Sequence, residues 1–397
     1  MKKILIVCLF ISLIPSLTLA DFKKIKKKAT ITKPEIIFPM PQNLKRCKTT
    51  ISVNPEFNHV TPVLKVEAPS GYGLDDRFNH AQNKFENFSF PCGGGNIEAC
   101  KHVKRVILDW AKSNAAQRTG PSDGEGRHWN DTLTVNLYIA SPMMAAYSFA
   151  KQVIVIPENE DKIIKDWFKK IVKKNEHLMY SYSNYKTGSG ANGTPKRAHN
   201  HALSSAVAHM QLGILIDSDN EFKKAFRNYE SAIRYQRKDG SLPIEVRRGG
   251  RAMFYQGRAM NALAVIAIIA EHQGYNIWEL DFKGKNYHNL VKFFLDFSEN
   301  NQIVFKYAKE NRFPGPAKNY KVQDLKSNSS SNFGWFYAYA TRFPDHENIK
   351  RVKTWIKNKD ETNGYQRRIM RQFKNLNKKG FGSASWTVVE PFCHFTK

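Results

Sequence analysis

Arg197-Ala-His-Asn-His201, then Asp239-Gly-Ser-Leu-Pro-Ile-Glu-Val-Arg-Arg-Gly-Gly-Arg-Ala-Met-Phe-Tyr255, then the nearly all-apolar run from Ala259 to Ala270 form the stretch around which the chain is organised. A helix that is apolar on every side must be surrounded by protein or lipid. The run 259–270 is therefore expected to be an inner helix, and the polar segments before it are expected at the ends of inner helices. Two imidazoles, an amide, several arginines and a phenol gather there around two helix starts. These groups suit the removal of a proton next to a carboxylate.

Outward from this stretch the pattern stays helical. Val103, Val106, Ile107 and Trp110 repeat at three and four residues, as do Met143, Met144, Tyr147 and Ala150 after Pro142. Ile163, Ile164, Trp167, Phe168, Ile171 and Val172 form a third stripe, with Lys162, Lys165, Lys169 and Lys170 mostly opposite it. Phe222, Ala225, Phe226, Tyr229 and Ile233 continue the scheme, followed by Leu290, Phe293, Phe294 and Phe297, and by Ile349, Val352 and Ile356. Breakers separate them at Pro157, Gly188 to Gly193, Gly240, Gly274 and Pro314 to Pro316. Roughly ten helices and few strands predict an all-α chain. Fully apolar helices alternating with amphipathic ones predict an inner and an outer layer, which an (α/α) toroid, an incomplete barrel of helical hairpins, satisfies. No strict sequence repeat accompanies it.

Lys2, Lys3, the apolar run Ile4 to Ile14 and Thr18-Leu19-Ala20 read as a secretory signal, residues 1–20. Residues 21–95 read as a basic lead-in and candidate lid, extended as far as about 45, with Lys23 to Lys28 as a solvated arm and a short helix between Asp76 and Phe88. Residues 96–397 would be the toroid. Cys47, Cys92, Cys100 and Cys393 remain after the signal, and in an oxidising compartment they allow three pairings. Cys92 with Cys100 would close a short loop, and Cys47 with Cys393 would tie the two ends. None sits in a Cys-x-x-Cys pair, which argues against a structural zinc site. The formal net charge of +27 speaks of partners rather than fold. For an exported protein it points to an acidic polysaccharide, an anionic surface or a cell wall. Nucleic acid is not expected, since no reader motif is present, and no later segment has an uninterrupted apolar length that would span a membrane. A monomer is expected, periplasmic or secreted.

Asn200 and His201 open a helix whose first-turn N–H groups and dipole favour an anion. Arg248, Arg251 and Tyr255 would share one face if the next helix has begun by Arg248. A phenol beside arginines is a candidate base, because a neighbouring cation favours the phenolate. His199 and His201 invite a metal reading, but at that spacing on a helix they would point apart. No phosphate-binding loop, nucleophile elbow or dinucleotide fingerprint is present.

The Asn-His pair opening a helix, and the later run Asp239-Gly-Ser-Leu-Pro-Ile-Glu245, Arg248, Arg251-Ala-Met-Phe-Tyr255, resemble the alginate lyase family of polysaccharide lyases, built on an α/α toroid. Vaguer similarity extends from about Cys100 to Arg342. The chain departs from the family where it has His199-Asn200-His201 for Asn-Asn-His and Tyr255-Gln256 for Tyr-His. The resemblance implies β-elimination on a polyuronate, poly-mannuronate first, with Asn200, His201, Arg248 and Tyr255 as catalytic groups. Arg197, His199, Arg251 and Trp129 would bind neighbouring sugars, and a lid group is sought near Gly71-Tyr-Gly73. Neither metal nor organic cofactor is called for, because an arginine does the neutralising. Competing expectations are a lyase for another polyuronate such as glucuronan, and a non-catalytic binder of polyanions.

Overall fold

The computed structural model describes residues 19–54, 59–67, 75–118, 133–174, 176, 196–311, 319–325, 333–375 and 391–394. Among these residues the only β-type pairing is an isolated bridge between Lys65 and Arg118. The remainder is helices and connecting turns. The toroid helices run α3 (Ile97–Lys112), α4 (Ser141–Val153), α5 (Glu158–Lys174), α6 (Asn200–Leu215), α7 (Asp219–Tyr235), α8 (Ala252–His272), α9 (Tyr287–Glu299), α10 (Gly334–Arg342) and α11 (Glu347–Lys357). Before them come α1 (Leu19–Lys28) and α2 (Asp76–Gly93), and after them α12 (Gly364–Asn375). A π-helical turn, Val135–Ala140, leads into α4.

The expected two layers are present, and they alternate along the chain. Every residue of α6 is buried, as are Ser141 to Ala150 of α4, Ala252 to Ala270 of α8 and Gly334 to Ala340 of α10. Helices α3, α5, α7, α9 and α11 bury one stripe and expose the opposite face. The inner helices pack in series, α4 on α6, α6 on α8, α8 on α10. This is the (α/α) toroid. Helix α8 is long and apolar enough to cross a membrane by composition, yet Ala252 to Ala270 are buried inside the protein, so neighbouring helices rather than lipid cover them.

Helices α6 and α7 form a closely packed hairpin. Gly213 makes it possible, since a Cβ there would lie 2.4 Å from the backbone nitrogen of Phe222. His209 Nδ1 lies 2.7 Å from Glu221 Oε2 across the same seam. Such a pairing keeps two buried polar groups in hydrogen-bond contact.

Some expectations need correction. Lys23 to Lys28 do not form an extended arm. They belong to α1, which packs on α7 through Phe22, whose ring meets Phe226 edge-on, and through an ion pair from Lys26 to Glu230. Helix α2 is longer than expected, with Asp75 accepting from Arg77 N at its start. Ile163 is off the stripe and 37% exposed, whereas Ile164, Trp167, Phe168, Ile171 and Val172 are buried. Cys47 pairs with Cys393 and Cys92 with Cys100. The first pair fastens the terminal helix Pro391–His394 near the turn Leu44–Arg46. The signal segment up to residue 18, Trp129 and Gly71-Tyr-Gly73 lie outside the described residues.

Candidate active site

The start of α6 and the segment before α8 meet inside the ring. His199 caps α6, its Nδ1 accepting from His201 N at 3.2 Å. The Asn200 backbone N–H donates to Glu245 Oε1 at 2.7 Å, and the Asn200 amide Nδ2 donates to Glu245 Oε2 at 2.8 Å. The anion expected at this helix start is thus supplied by the chain itself. Glu245 is fully buried there, where the first-turn N–H groups and the helix dipole favour a carboxylate. Sequence reading placed Glu245 in the motif without giving it a role. An acid three residues before an arginine, in a segment otherwise apolar from Leu242 to Val246, was the available signal.

Arg248 is not on a helix face. It lies between two short 3-10 turns, Glu245–Arg247 and Gly249–Arg251, and α8 begins only at Ala252. Gly249 takes φ +55°, a left-handed conformation suited to glycine. This break turns the Arg248 side chain back over Tyr255, with Cζ 3.3 Å from the ring centroid. Arg251 diverges: its Cζ lies 5.3 Å from the Phe254 centroid and its Nε 3.6 Å from Asp324 Oδ2. Arg248 and Tyr255 therefore come together for a different reason from the one their spacing suggested, and Arg251 stands apart.

Three sets of hydrogen bonds hold this geometry. The buried Gln256 accepts from Leu242 N at 2.9 Å and donates to Gly240 O at 3.2 Å, which fixes the loop on α8. Asp239 Oδ1 accepts from Ser241 N at 3.0 Å and from Ser241 Oγ at 2.7 Å, which closes the turn. Gln323 donates to Gly249 O at 3.0 Å and accepts from Met253 N at 3.1 Å, and Asp324 N donates to Gly250 O at 2.6 Å. These residues strap the double glycine from outside.

The electrostatics divide the roles. Arg248 is 1% exposed, with NH1 3.9 Å from Glu245 Oε2. Burial pushes Glu245 up to about 7, against the downward pull of Arg248 and the Asn200 donors. Burial, then Arg248 and Arg258, hold His201 well below the usual histidine range; burial, His201 and Arg248 do the same for His199. Both imidazoles are therefore neutral near pH 7, and the permanent positive charge beside them is the guanidinium. The two rings lie 4.8 Å apart, centroid to centroid. Among the described residues no cluster of three or more His, Cys, Asp or Glu side chains could hold a metal ion. Tyr255 and His201 keep 7% and 5% exposure, so an entering ligand meets them before Arg248. Arg197 is elsewhere: its carbonyl accepts from Asn228 Nδ2 at 3.1 Å, and it lines an outer cleft with residues of α7.

Comparison with known proteins finds that residues 95–305 match the family model described as alginate lyase. An alginate lyase of Pseudomonas syringae pv. syringae is 27% identical over 188 residues, 46% of this chain and 45% of that protein. One of Cobetia marina is 24% identical over the same length, with the same shares covered. The chain spans about half the length of the curated relatives it matches. Among solved structures, alginate lyase A1-III of a Sphingomonas species aligns with TM-score 0.62 and 16% identity, covering 82% of this chain and 92% of that one. Two variants of that lyase, one with a histidine replaced by alanine and one with a tyrosine replaced by phenylalanine, are complexed with a tetrasaccharide. An alginate lyase from Bacteroides ovatus aligns with TM-score 0.51 and 14% identity. At these identities the structural likeness establishes the shared fold.

Proposed function

The chain belongs to the alginate lyase family, whose model covers residues 95–305, and from that premise we propose that it cleaves an acidic polyuronate, poly-mannuronate first, by β-elimination. The observation that carries this reading is the Arg248 guanidinium 3.3 Å over the Tyr255 ring, beside a neutral His201. The C5 proton of a uronate is hard to remove because the adjacent carboxylate is already negative. Arg248 binds that carboxylate and offsets the charge that grows as the proton leaves, an interaction strongest in the transition state. His201 adds a hydrogen bond rather than a charge, and Asn200 is aimed by Glu245.

Tyr255 Oη is the base that takes the C5 proton. Electrons from the C5–H bond form the C4–C5 double bond as the C4–O4 bond breaks, and the phenol returns the proton to O4. One group serves both steps where proton and leaving group lie on the same side of the sugar. His201, neutral and nearly buried, is the base for an epimer presenting its proton from the other face. His199 holds the helix start, and Arg251 belongs to the rim. The test is absorbance at the unsaturated-uronate band with poly-mannuronate, poly-guluronate and poly-glucuronate in parallel. A rise on poly-mannuronate is expected. A rise on poly-glucuronate alone would move the assignment to glucuronan, and none on any polymer, with folded protein, would reject the lyase.

Residues 1–20 are proposed to direct export to the periplasm or medium. The two disulfides support this, because such bonds persist in oxidising compartments. Mass analysis of exported protein should place its first residue near Asp21; retention of Met1 in a soluble cytoplasmic product would contradict it.

A further inference from the structure

On the outer side of the ring a cleft of about 480 Å³ lies between α1 and the C-terminal half of α7. Its walls carry Lys26, Arg197, Arg227, Arg234 and Tyr235, with Glu230 as the single acid. Glu230 is already paired with Lys26. Among the described residues, Arg197, Arg227 and Arg234 have no carboxylate within 4.0 Å, so the cleft carries three uncompensated guanidiniums. Arg234 lies near two rings, its Cζ 5.1 Å from the Phe282 centroid and 5.5 Å from the Tyr235 centroid. A guanidinium beside aromatic faces gains cation–π attraction while its N–H donors remain available to an oxyanion.

We propose that this cleft is a second binding site for the acidic polysaccharide, separate from the reacting cluster, in which guanidiniums take uronate carboxylates two sugars apart. Arg227 and Arg234 are two helical turns apart on one face of α7, about 10 Å along the axis. That length is comparable to a pair of sugars in an extended chain, which suits a linear polymer better than a compact anion. Tyr235, half-buried, lines the same cleft. Asn228 Nδ2 binds the carbonyls of Arg197 and Ala202 at 3.1 and 3.3 Å, so α7 is fastened to the main chain that enters the active cluster at Asn200. A polymer held here stays near the reacting end of α6 after each cleavage. This inference rests on the polyuronate reading for its ligand, but not on catalysis.

The test uses Arg227→Glu with Arg234→Glu, both exposed, and Arg227→Gln with Arg234→Gln as the milder pair. Circular dichroism establishes folding. Retardation in native gels containing poly-mannuronate should fall in both pairs, more in the first, while gels containing neutral dextran show no difference. The KM for polymer should rise about fivefold, the equivalent of a few surface ion pairs, with kcat/KM on a tetrasaccharide changed less than about twofold. Unchanged retardation and unchanged polymer KM in folded variants would overturn the proposal while leaving the lyase reading intact. Retardation that depends on Arg227 and Arg234 in a wild-type protein with no lyase activity would uphold the cleft and reject the lyase.

Discussion

At Glu245 burial and hydrogen bonding pull in opposite directions. Its carboxyl accepts two donors from Asn200 and faces Arg248, yet burial raises it from 4.5 to about 7. An acid with a higher pKa in the fold binds more protons folded than unfolded. The stability it contributes is fully present below about pH 4.5 and is lost as pH rises through about 7, on the order of 3 kcal/mol. Glu245→Gln removes this titration. Melting curves of both proteins at pH 5 and pH 8 should show the wild type losing stability relative to the variant as pH rises; parallel behaviour would contradict the buried carboxyl. Arg248 makes a second test. Arg248→Lys keeps the charge but loses the planar stack on Tyr255, and kcat should fall about 10²-fold, with folding preserved. A lysine variant within a few-fold of wild type would show that charge alone suffices.

The α6–α7 hairpin and the loop clamped on α8 set the positions of these residues. Gly213→Ala must separate the two helices, since the added carbon meets Phe222 backbone, and should cost about 1–3 kcal/mol in denaturant unfolding. Gln256→Ala leaves two buried backbone groups without partners and should lower both stability and kcat; a change in neither would contradict its role. Much at this scale was readable from spacing alone. The stripes at Val103 to Trp110, Phe222 to Ile233 and Leu290 to Phe297 turned inward because a helix has no other way to bury them. Arg248 was harder, because its direction comes from a glycine at φ +55° and not from a helical period. Helix α1 was missed where six charged or polar positions dominated, though Phe22, Ile25 and Ala29 keep the three-and-four spacing.

Across the whole molecule, order along the chain becomes order around the ring, inner and outer helices alternating from α3 to α11. That alternation could be read from which segments are apolar on every side and which on one. The closing contacts could not, because they join residues far apart in sequence. The four cysteines allowed several pairings until the fold brought residues 47 and 393 together. Closing a span of 346 residues rather than 8 removes more disorder from the unfolded chain, about 3 kcal/mol more by loop entropy alone. Cys47→Ser with Cys393→Ser should therefore lower the melting temperature more than Cys92→Ser with Cys100→Ser; the reverse order would place the main restraint in the short loop. The charge of +27 is likewise a property of the whole, of which the α1–α7 cleft is one localised part.

The central claim is that one phenol beside one buried guanidinium drives elimination. It is tested most directly by pairing lyase absorbance with polymer binding for wild type and Tyr255→Phe on poly-mannuronate. The account predicts a fall in turnover of about 10²-fold or more with binding and melting temperature retained. A phenylalanine variant that still produces unsaturated ends at the wild-type rate would contradict it.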